Sequence, residues 1–151
     1  MSMMVAVLLI GDFKPVQYFQ NLQDIQLNVH RAIGIYLNAL ATPGQVVAAE
    51  DIGYIGFYSK RTILDRDGLI SPQVIPYNEK GEYEQVVLDF HPDWVVAAKS
   101  SPISGFVSDS SFLAQYAEDT AFVADDHEYF LFIQKTDEPQ KVEQQLDKSG
   151  S

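Results

Sequence analysis

Cysteine is absent from the chain. Its absence excludes disulfide bonds, thiolate catalysis and cysteine-ligated zinc. A chain of 151 residues can nevertheless build a hydrophobic core without cross-links. Hydrophobic residues make up 46% of the sequence and charged residues 21%, which is the composition of a folded domain rather than of a disordered chain.

Positive charge is scarce. The chain has 10 lysines and arginines against 21 aspartates and glutamates, a formal net charge of −11. Such a surface is repelled by phosphate backbones and by anionic lipid headgroups. The sequence therefore predicts no nucleic-acid partner.

Motifs for metal binding and for nucleophilic catalysis are also missing. No two of the histidines, His30, His91 and His127, have the spacing of a metal site. No serine lies in a G-x-S-x-G turn, and "DDHE" at 125–128 is typical of a solvated turn. We predict no metal ion, no cofactor and no catalytic residue.

The two ends of the chain differ from its middle. Met4 to Ile10 is an uninterrupted apolar run, far shorter than the roughly 20 residues that span a bilayer, and it lacks the features of a signal peptide. It is either a buried first strand or the end of a transmembrane helix, with Asp12 and Lys14 where that helix leaves the lipid. We assign residues 1–14 to such a tail or to added sequence, 15–137 to one α/β domain, and 138–151 to a polar, partly disordered tail.

Strand and helix signals alternate along the middle of the chain. Apolar residues at steps of three and four predict a helix over Tyr18–Ala41, which Thr42-Pro43-Gly44 ends. Prolines and glycines predict a long loop over Ile70–Glu84. Further helices are predicted over Tyr83–Phe90 and Phe112–Ala117. The predicted strands are Val46–Ala49, Thr62–Leu64, Trp94–Ala98, Thr120–Ala124 and Tyr129–Lys135.

This alternation indicates the fold class. Strands separated by helices pair in parallel through right-handed crossovers, with helices on both faces of the sheet. The last two strands, around "DDHE", are predicted to form a hairpin. We expect a three-layer, Rossmann-like α/β sandwich whose sheet is mostly parallel and ends in a C-terminal antiparallel hairpin.

Acidic residues follow two successive predicted strands. Glu50 and Asp51 follow the first, and Asp65 and Asp67 end the second. Because the carboxyl ends of parallel strands lie side by side, these four carboxylates should share one crevice. Three interpretations stay open: the carboxylates build turns, with Asp51 and Asp65 accepting backbone N–H bonds; they hold magnesium or calcium; or they hold a sugar or another polar ligand.

A nucleotide is not expected in this crevice. Dinucleotide binding needs three spaced glycines before a helix N-terminus, whereas "EDIGYIGF" has only G-x-x-G. Asp51 would face the phosphate, and like charges repel strongly in a partly desolvated site. We predict no binding of dinucleotides or nucleoside triphosphates.

Aromatic residues are expected beside the same crevice: Tyr54, Phe57, Tyr58 and Tyr77. Aromatic faces combined with carboxylates are typical of sugar sites, although an ordinary core or rim position is the better account of any single ring. The candidate ligand-binding residues are Asp51, Tyr54, Tyr58, Arg61, Asp65 and Asp67.

Part of the chain resembles a known family. The run "ATPGQVVAAEDIGYIGFYSKRTILDRDGLISPQV", with "NVHRAIGIYLNAL" before it and "HPDWVVA" after it, is similar to the C-terminal soluble region of bacterial multi-spanning membrane glycosyltransferases of the GT-C superfamily, the mannosyl- and arabinofuranosyltransferase-like proteins. The similarity covers residues 28–100 and, more loosely, the hairpin. Phe57 replaces an expected tyrosine. The matching positions are Pro43, Gly44, Asp51, Gly53, Ile55, Phe57, Tyr58, Ser59, Arg61, Asp65, Gly68, Leu69 and Pro72.

The resemblance implies a function. In this family the catalytic acid belongs to the membrane part, so the domain would be an accessory one, structural or acceptor-recognising. It would lie on the extracytoplasmic side of the cell membrane. Its partners would be the membrane-embedded portion of the same polypeptide and a glycan or lipid-linked sugar acceptor. The resemblance also favours a transmembrane tail at the N-terminus.

Two other functional classes stay open. One is a free-standing soluble α/β enzyme that uses the acidic crevice of Asp51, Asp65 and Asp67, with or without magnesium. The other is an interaction domain without a small-molecule site. Apolar segments of about 20 residues upstream in the native reading frame would favour the membrane glycosyltransferase.

Overall fold

Strands and helices alternate along the part of the chain that the computed structural model describes, residues 25–124 and 127–135. The strands are β1 (Val46–Ala49), β2 (Thr62–Asp65), β3 (Trp94–Ala98), β4 (Tyr116–Ala124) and β5 (His127–Gln134). The α-helices are α1 (Arg31–Leu40), α2 (Ile52–Ser59), α3 (Ile75–Asn78), α4 (Tyr83–Phe90) and α5 (Ser110–Gln115). A π-helical segment, Ile25–His30, precedes α1, and 3₁₀ turns cover Pro72–Val74 and Pro102–Ser108.

The strands form one mixed five-stranded sheet in the order β2-β1-β3-β5-β4. β1 pairs in parallel with both β2 and β3, and β5 pairs antiparallel with β3 and β4. The fold is therefore α/β, and the prediction that the first three strands are parallel neighbours beside an antiparallel hairpin is confirmed.

Both faces of the sheet are buried. On β3, Trp94, Val96 and Ala98 pack in one hydrophobic cluster with residues of α1 and α2. Val95 and Ala97, on the other face, pack with residues of α4 and α5. All five side chains of β3 are buried, which explains why this strand is a continuous apolar run.

Helix α1 ends where the sequence predicts. The Ala41 N–H donates to the Leu37 carbonyl at 2.8 Å, and Gly44 then takes a φ of +97°, which glycine adopts without strain. The predicted start at Tyr18 lies outside the described residues, as do residues 1–14 and 138–151. No helix within 25–124 and 127–135 combines the length and the apolar character that crossing a membrane requires.

Two predicted element boundaries were wrong. The loop predicted over Ile70–Glu84 contains the 3₁₀ turn and α3. The helix predicted over Phe112–Ala117 ends at Gln115, because Tyr116 begins β4. Strand pairing prevails there: Tyr116 pairs with Gln134 of β5, stacks on Phe112 with ring centroids 4.8 Å apart, and is completely buried.

Helices α1 and α2 approach very closely at Gly34. A Cβ atom at this position would lie 2.7 Å from Cβ of Tyr58 and 3.1 Å from the carbonyl oxygens of Tyr54 and Ile55. Only glycine permits this spacing. The contact fixes α2, and with it the residues that line the site described next.

Candidate functional site

An open crevice lies at the carboxyl ends of β1 and β2. Its volume is about 240 Å³, and its location agrees with the usual position of ligand sites in α/β sheets. The polar side chains that line it are His30, Glu50, Asp51, Tyr54 and Asp67, and Leu69 adds an apolar one.

Asp65 builds the turn that follows β2. Its carboxylate accepts the N–H of Asp67 at 3.0 Å and the N–H of Ile70 at 2.7 Å, while its own N–H donates to Oγ of Ser71 at 2.9 Å. The side chain is completely buried. The interpretation of Asp65 as a turn residue is confirmed, and its oxygens are not directed to a ligand.

Asp51 does not build a turn, so the turn interpretation is wrong for this residue. Among the described residues, no backbone N–H donates to its carboxylate; Ile52 N–H instead donates to the Glu50 carbonyl. Oδ2 of Asp51 lies 3.4 Å from the phenol oxygen of Tyr129 and 3.5 Å from Nε2 of His30. The side chain is 46% exposed, so Asp51 is available to a ligand.

This difference predicts unequal responses to alanine substitution. Asp65→Ala is expected to destabilise the domain by roughly 1–3 kcal/mol, because two N–H donors lose their acceptor in a buried turn. Asp51→Ala is expected to be close to neutral, because it removes an exposed charge from an acidic surface. Urea denaturation of both variants measures the effect, and an equal loss in the two would contradict the assignment of separate roles.

His30 and Tyr129 form a buried pair at the base of the crevice. Nε2 of His30 and the phenol oxygen of Tyr129 are joined by a 2.8 Å hydrogen bond, and the rings meet edge to face at 5.0 Å. The sequence interpretation missed both residues. The sequence did contain a signal that His30 is buried. His30 lies three and seven positions before Ile33 and Leu37, in line with the buried stripe of α1.

Burial lowers the pKa of His30 below its ordinary value of 6.5; nearby Asp51 opposes this shift and His127 adds to it. Burial also raises the pKa of Tyr129, and Asp51 raises it further. Both groups are therefore neutral at pH 7, and Asp51 carries the charge of this cluster.

The pKa of His30 predicts an acid-sensitive contribution to stability. The unfolded chain takes up this proton more readily than the folded one, so the contribution is fully present above pH 6.5 and is lost as pH falls below it. Asp67, whose pKa is raised, has the opposite effect on stability: its contribution is lost as pH rises. Unfolding free energies of the wild type and His30→Gln, measured from pH 7.5 to about 4.5, should differ less as the pH falls; a constant difference would contradict this.

Arg66 joins the loops that follow β1, β2 and β3. Its Nη1 donates to Oε1 of Glu50 at 3.1 Å and to Oγ of Ser104 at 3.2 Å, and Nη2 donates to the Ile103 carbonyl. Ser104 also donates to Glu50, and the guanidinium lies 4.7 Å above the Phe106 ring. The sequence interpretation did not identify this network.

The Arg66 network is internal rather than a ligand site. Arg66 is only 2% exposed, and burial lowers its pKa to about 10, with Glu50 and Asp67 opposing the shift. The guanidinium therefore stays charged at pH 7. It neutralises the charge of Glu50. The two exposed carboxylates of the crevice are therefore those of Asp51 and Asp67.

Asp67 lies at the rim of the crevice. Burial raises its pKa, and the charges of Glu50, Asp65 and Asp51 raise it further.

Within residues 25–124 and 127–135, no three His, Asp or Glu side chains are grouped as metal ligands. The arrangement suits hydrogen bonding to hydroxyl groups.

The aromatic residues are divided between two places. Tyr54, Phe57 and Tyr58 line a second cavity of about 370 Å³ on α2, and Tyr54 also lines the crevice. Tyr77 does not lie there as expected. It donates to Asp89 at 2.8 Å and packs edge to face on Phe90, against the other face of the sheet.

Arg61 lies at the opposite end of β2 from Asp65. Its Nε donates to the Ala41 carbonyl at 3.0 Å and its Nη2 to the Asn38 carbonyl at 3.1 Å. Cationic side chains bind the last carbonyls of a helix in this way. Because Arg61 precedes β2 while Asp65 ends it, the structure brings together Asp51, Tyr54 and Asp67 but not Arg61.

Comparison with known proteins identifies a family for this chain. No curated protein and no solved structure matches it. Residues 17–141 match the family described as "Domain of unknown function (DUF8728)". Because this match covers most of the chain, the protein belongs to the DUF8728 family.

Proposed function

We propose that this domain binds a neutral, hydroxyl-rich ligand, a glycan, as the accessory domain of a membrane-embedded glycosyltransferase. The observation that carries the proposal is the crevice. Two open carboxylates, Asp51 and Asp67, line the crevice together with Tyr54, whereas the guanidinium of Arg66 is directed into the protein.

The charge of the crevice argues for a neutral ligand. A phosphate or nucleotide would approach the open carboxylates of Asp51 and Asp67, and the Arg66 guanidinium is engaged by Glu50, Ser104 and the Ile103 carbonyl. A sugar hydroxyl instead donates to a carboxylate without Coulombic repulsion. Tyr54 adds an apolar ring against which the C–H face of a sugar packs.

The arrangement of the layers supports a finer description of the fold. We propose a three-layer, Rossmann-like sandwich, with α1 and α2 on one face of the sheet and α4 and α5 on the other. The two separate hydrophobic clusters and the order β2-β1-β3 of the parallel strands support it. In such a fold the crevice beside β1 is the expected ligand site.

The rest of the enzyme is part of the same proposal. The domain lies on the extracytoplasmic side of the cell membrane, next to the membrane-embedded portion of its polypeptide. That portion carries out transfer from a lipid-linked donor, and the crevice recognises the acceptor. The sequence resemblance over residues 28–100 supports this context, and a native reading frame without apolar segments of about 20 residues upstream would contradict it.

A ligand titration tests the binding function. Neutral hexoses are expected to shift amide resonances of residues around Asp51, Tyr54 and Asp67 with roughly millimolar affinity, typical of a small open site. NAD, ATP and nucleotide-sugars are expected not to bind in the same range, because the two carboxylates repel their phosphates.

Asp51→Asn provides the matched test of the site. This variant keeps the shape of the side chain but removes the charge that strengthens hydrogen bonds from hydroxyl groups, so hexose affinity should fall severalfold. Lys99→Gln, at a charged and exposed residue outside the crevice lining, should bind as the wild type does. Micromolar nucleotide binding, or hexose shifts away from the crevice, would contradict the proposal.

A further inference from the structure

A cluster of aromatic side chains on α2 extends the crevice across the surface. We call Tyr54, Phe57 and Tyr58 the aromatic platform. The rings of Tyr54 and Tyr58 are nearly parallel, 17° apart with centroids at 6.0 Å, and Phe57 meets Tyr58 edge to face at 5.0 Å. Arg31 lies 5.3 Å above the Tyr58 ring. Tyr58 therefore supports the other two rings, which are the ones offered to a ligand.

The exposure of Phe57 requires an explanation. The side chain is 75% exposed, although burying a phenylalanine side chain is favourable. Fraying of α2 does not account for it: Ile55 on the same helix is completely buried, and Gly34 holds Tyr58 in close contact with α1. Phe57 is thus presented to solvent by a helix that is packed in place.

The aromatic platform is continuous with the crevice. Gly53 and Tyr54 line both cavities, one of about 240 Å³ and the other of about 370 Å³. The crevice side carries Asp51 and Asp67, whereas the platform side is aromatic. A ligand that crosses Tyr54 therefore passes from a hydrogen-bonding region to an apolar one.

We propose that the aromatic platform is a second subsite and that the ligand is a neutral oligosaccharide of at least two units. This inference rests on the proposed function. One unit donates its hydroxyl groups to Asp51 and Asp67 and packs against Tyr54, and the next unit places its C–H face on Phe57. Continuity with an acidic crevice favours such an amphipathic, uncharged chain over a purely apolar partner.

Binding as a function of chain length tests the inference. The probes are neutral glucose and mannose oligomers of one to four units, titrated into the whole chain by NMR and calorimetry. A disaccharide is expected to bind about tenfold more tightly than its monosaccharide, because it adds an aromatic contact. Phe57→Ser is expected to remove this gain and to leave monosaccharide affinity unchanged.

Phe90→Ser is the matched control, because Phe90 is also partly exposed, at 39%, but packs on Tyr77 away from the platform. The Phe90→Ser variant should bind the disaccharide about tenfold more tightly than the monosaccharide, as the wild type does. If affinity does not rise with chain length, or if Phe57→Ser weakens all lengths equally, the second subsite is wrong while the crevice remains. If no sugar binds the wild type, the proposed function fails and the inference falls with it.

Discussion

Replacing Arg66 by methionine is expected to destabilise the domain by about 3–5 kcal/mol. Methionine retains an unbranched side chain but removes the guanidinium that bonds Glu50, Ser104 and the Ile103 carbonyl. Glu50, whose side chain is only 13% exposed, then remains as a nearly buried charge without a cation. Chemical denaturation followed by circular dichroism measures the loss.

Two variants separate this network from the general effect of losing an arginine. Arg61→Met should cost about 1 kcal/mol, because the Arg61 side chain donates to backbone carbonyls at a helix end and in its own turn, and no buried charge loses its partner. Adding Glu50→Gln to Arg66→Met should recover part of the loss, because it removes the uncompensated charge. Equal losses for Arg61 and Arg66, or no recovery in the double variant, would contradict the assignment.

Gly34→Ala is expected to destabilise the domain by about 3 kcal/mol, at the upper end of the range for overpacking. The added methyl group would meet Cβ of Tyr58 at 2.7 Å and two carbonyl oxygens at 3.1 Å. None of these atoms moves by a side-chain rotation, so α1 and α2 must separate. The separation also displaces Tyr54 and therefore should weaken ligand binding.

Gly53→Ala is the control for Gly34→Ala. Gly53 also lies within a helix, but a Cβ atom there meets no atom within 4 Å. Because alanine favours helix over glycine, this change should stabilise the domain by up to about 1 kcal/mol. Thermal unfolding is expected to show a lower melting temperature for Gly34→Ala and an equal or higher one for Gly53→Ala. If both variants or neither variant is destabilised, the close contact between α1 and α2 does not explain the effect of Gly34→Ala.

Much of the fold could be predicted from the sequence because its signals are local. The short apolar runs at Val46–Ala49 and Trp94–Ala98 predict strands that are buried on both faces, and the structure has β1 and β3 at these positions. The turn after β2 was also predictable, since an aspartate followed two positions later by Asp-Gly accepts nearby N–H groups. Asp65 does this within five residues.

The helix predicted over Phe112–Ala117 illustrates where local signals fail. The serines before Phe112 and the spacing of its apolar residues favour a helix, but Tyr116 pairs with Gln134 of a strand that follows much later. Pairing along a long antiparallel strand outweighs the modest helix propensity of one turn. The outcome depends on residues that the local pattern does not contain.

The candidate site divides in the same way. The sequence by itself determined that acidic residues end two adjacent strands and that cysteine chemistry is absent. Only the tertiary structure decided which carboxylates are open. Asp51 faces His30 and Tyr129, residues 99 positions apart in sequence, and Arg66 reaches Ser104, 38 positions away, to compensate Glu50. Such pairings depend on how distant elements pack around the sheet. Burying a charge is costly unless a partner lies beside it, and the fold decides which group that partner is.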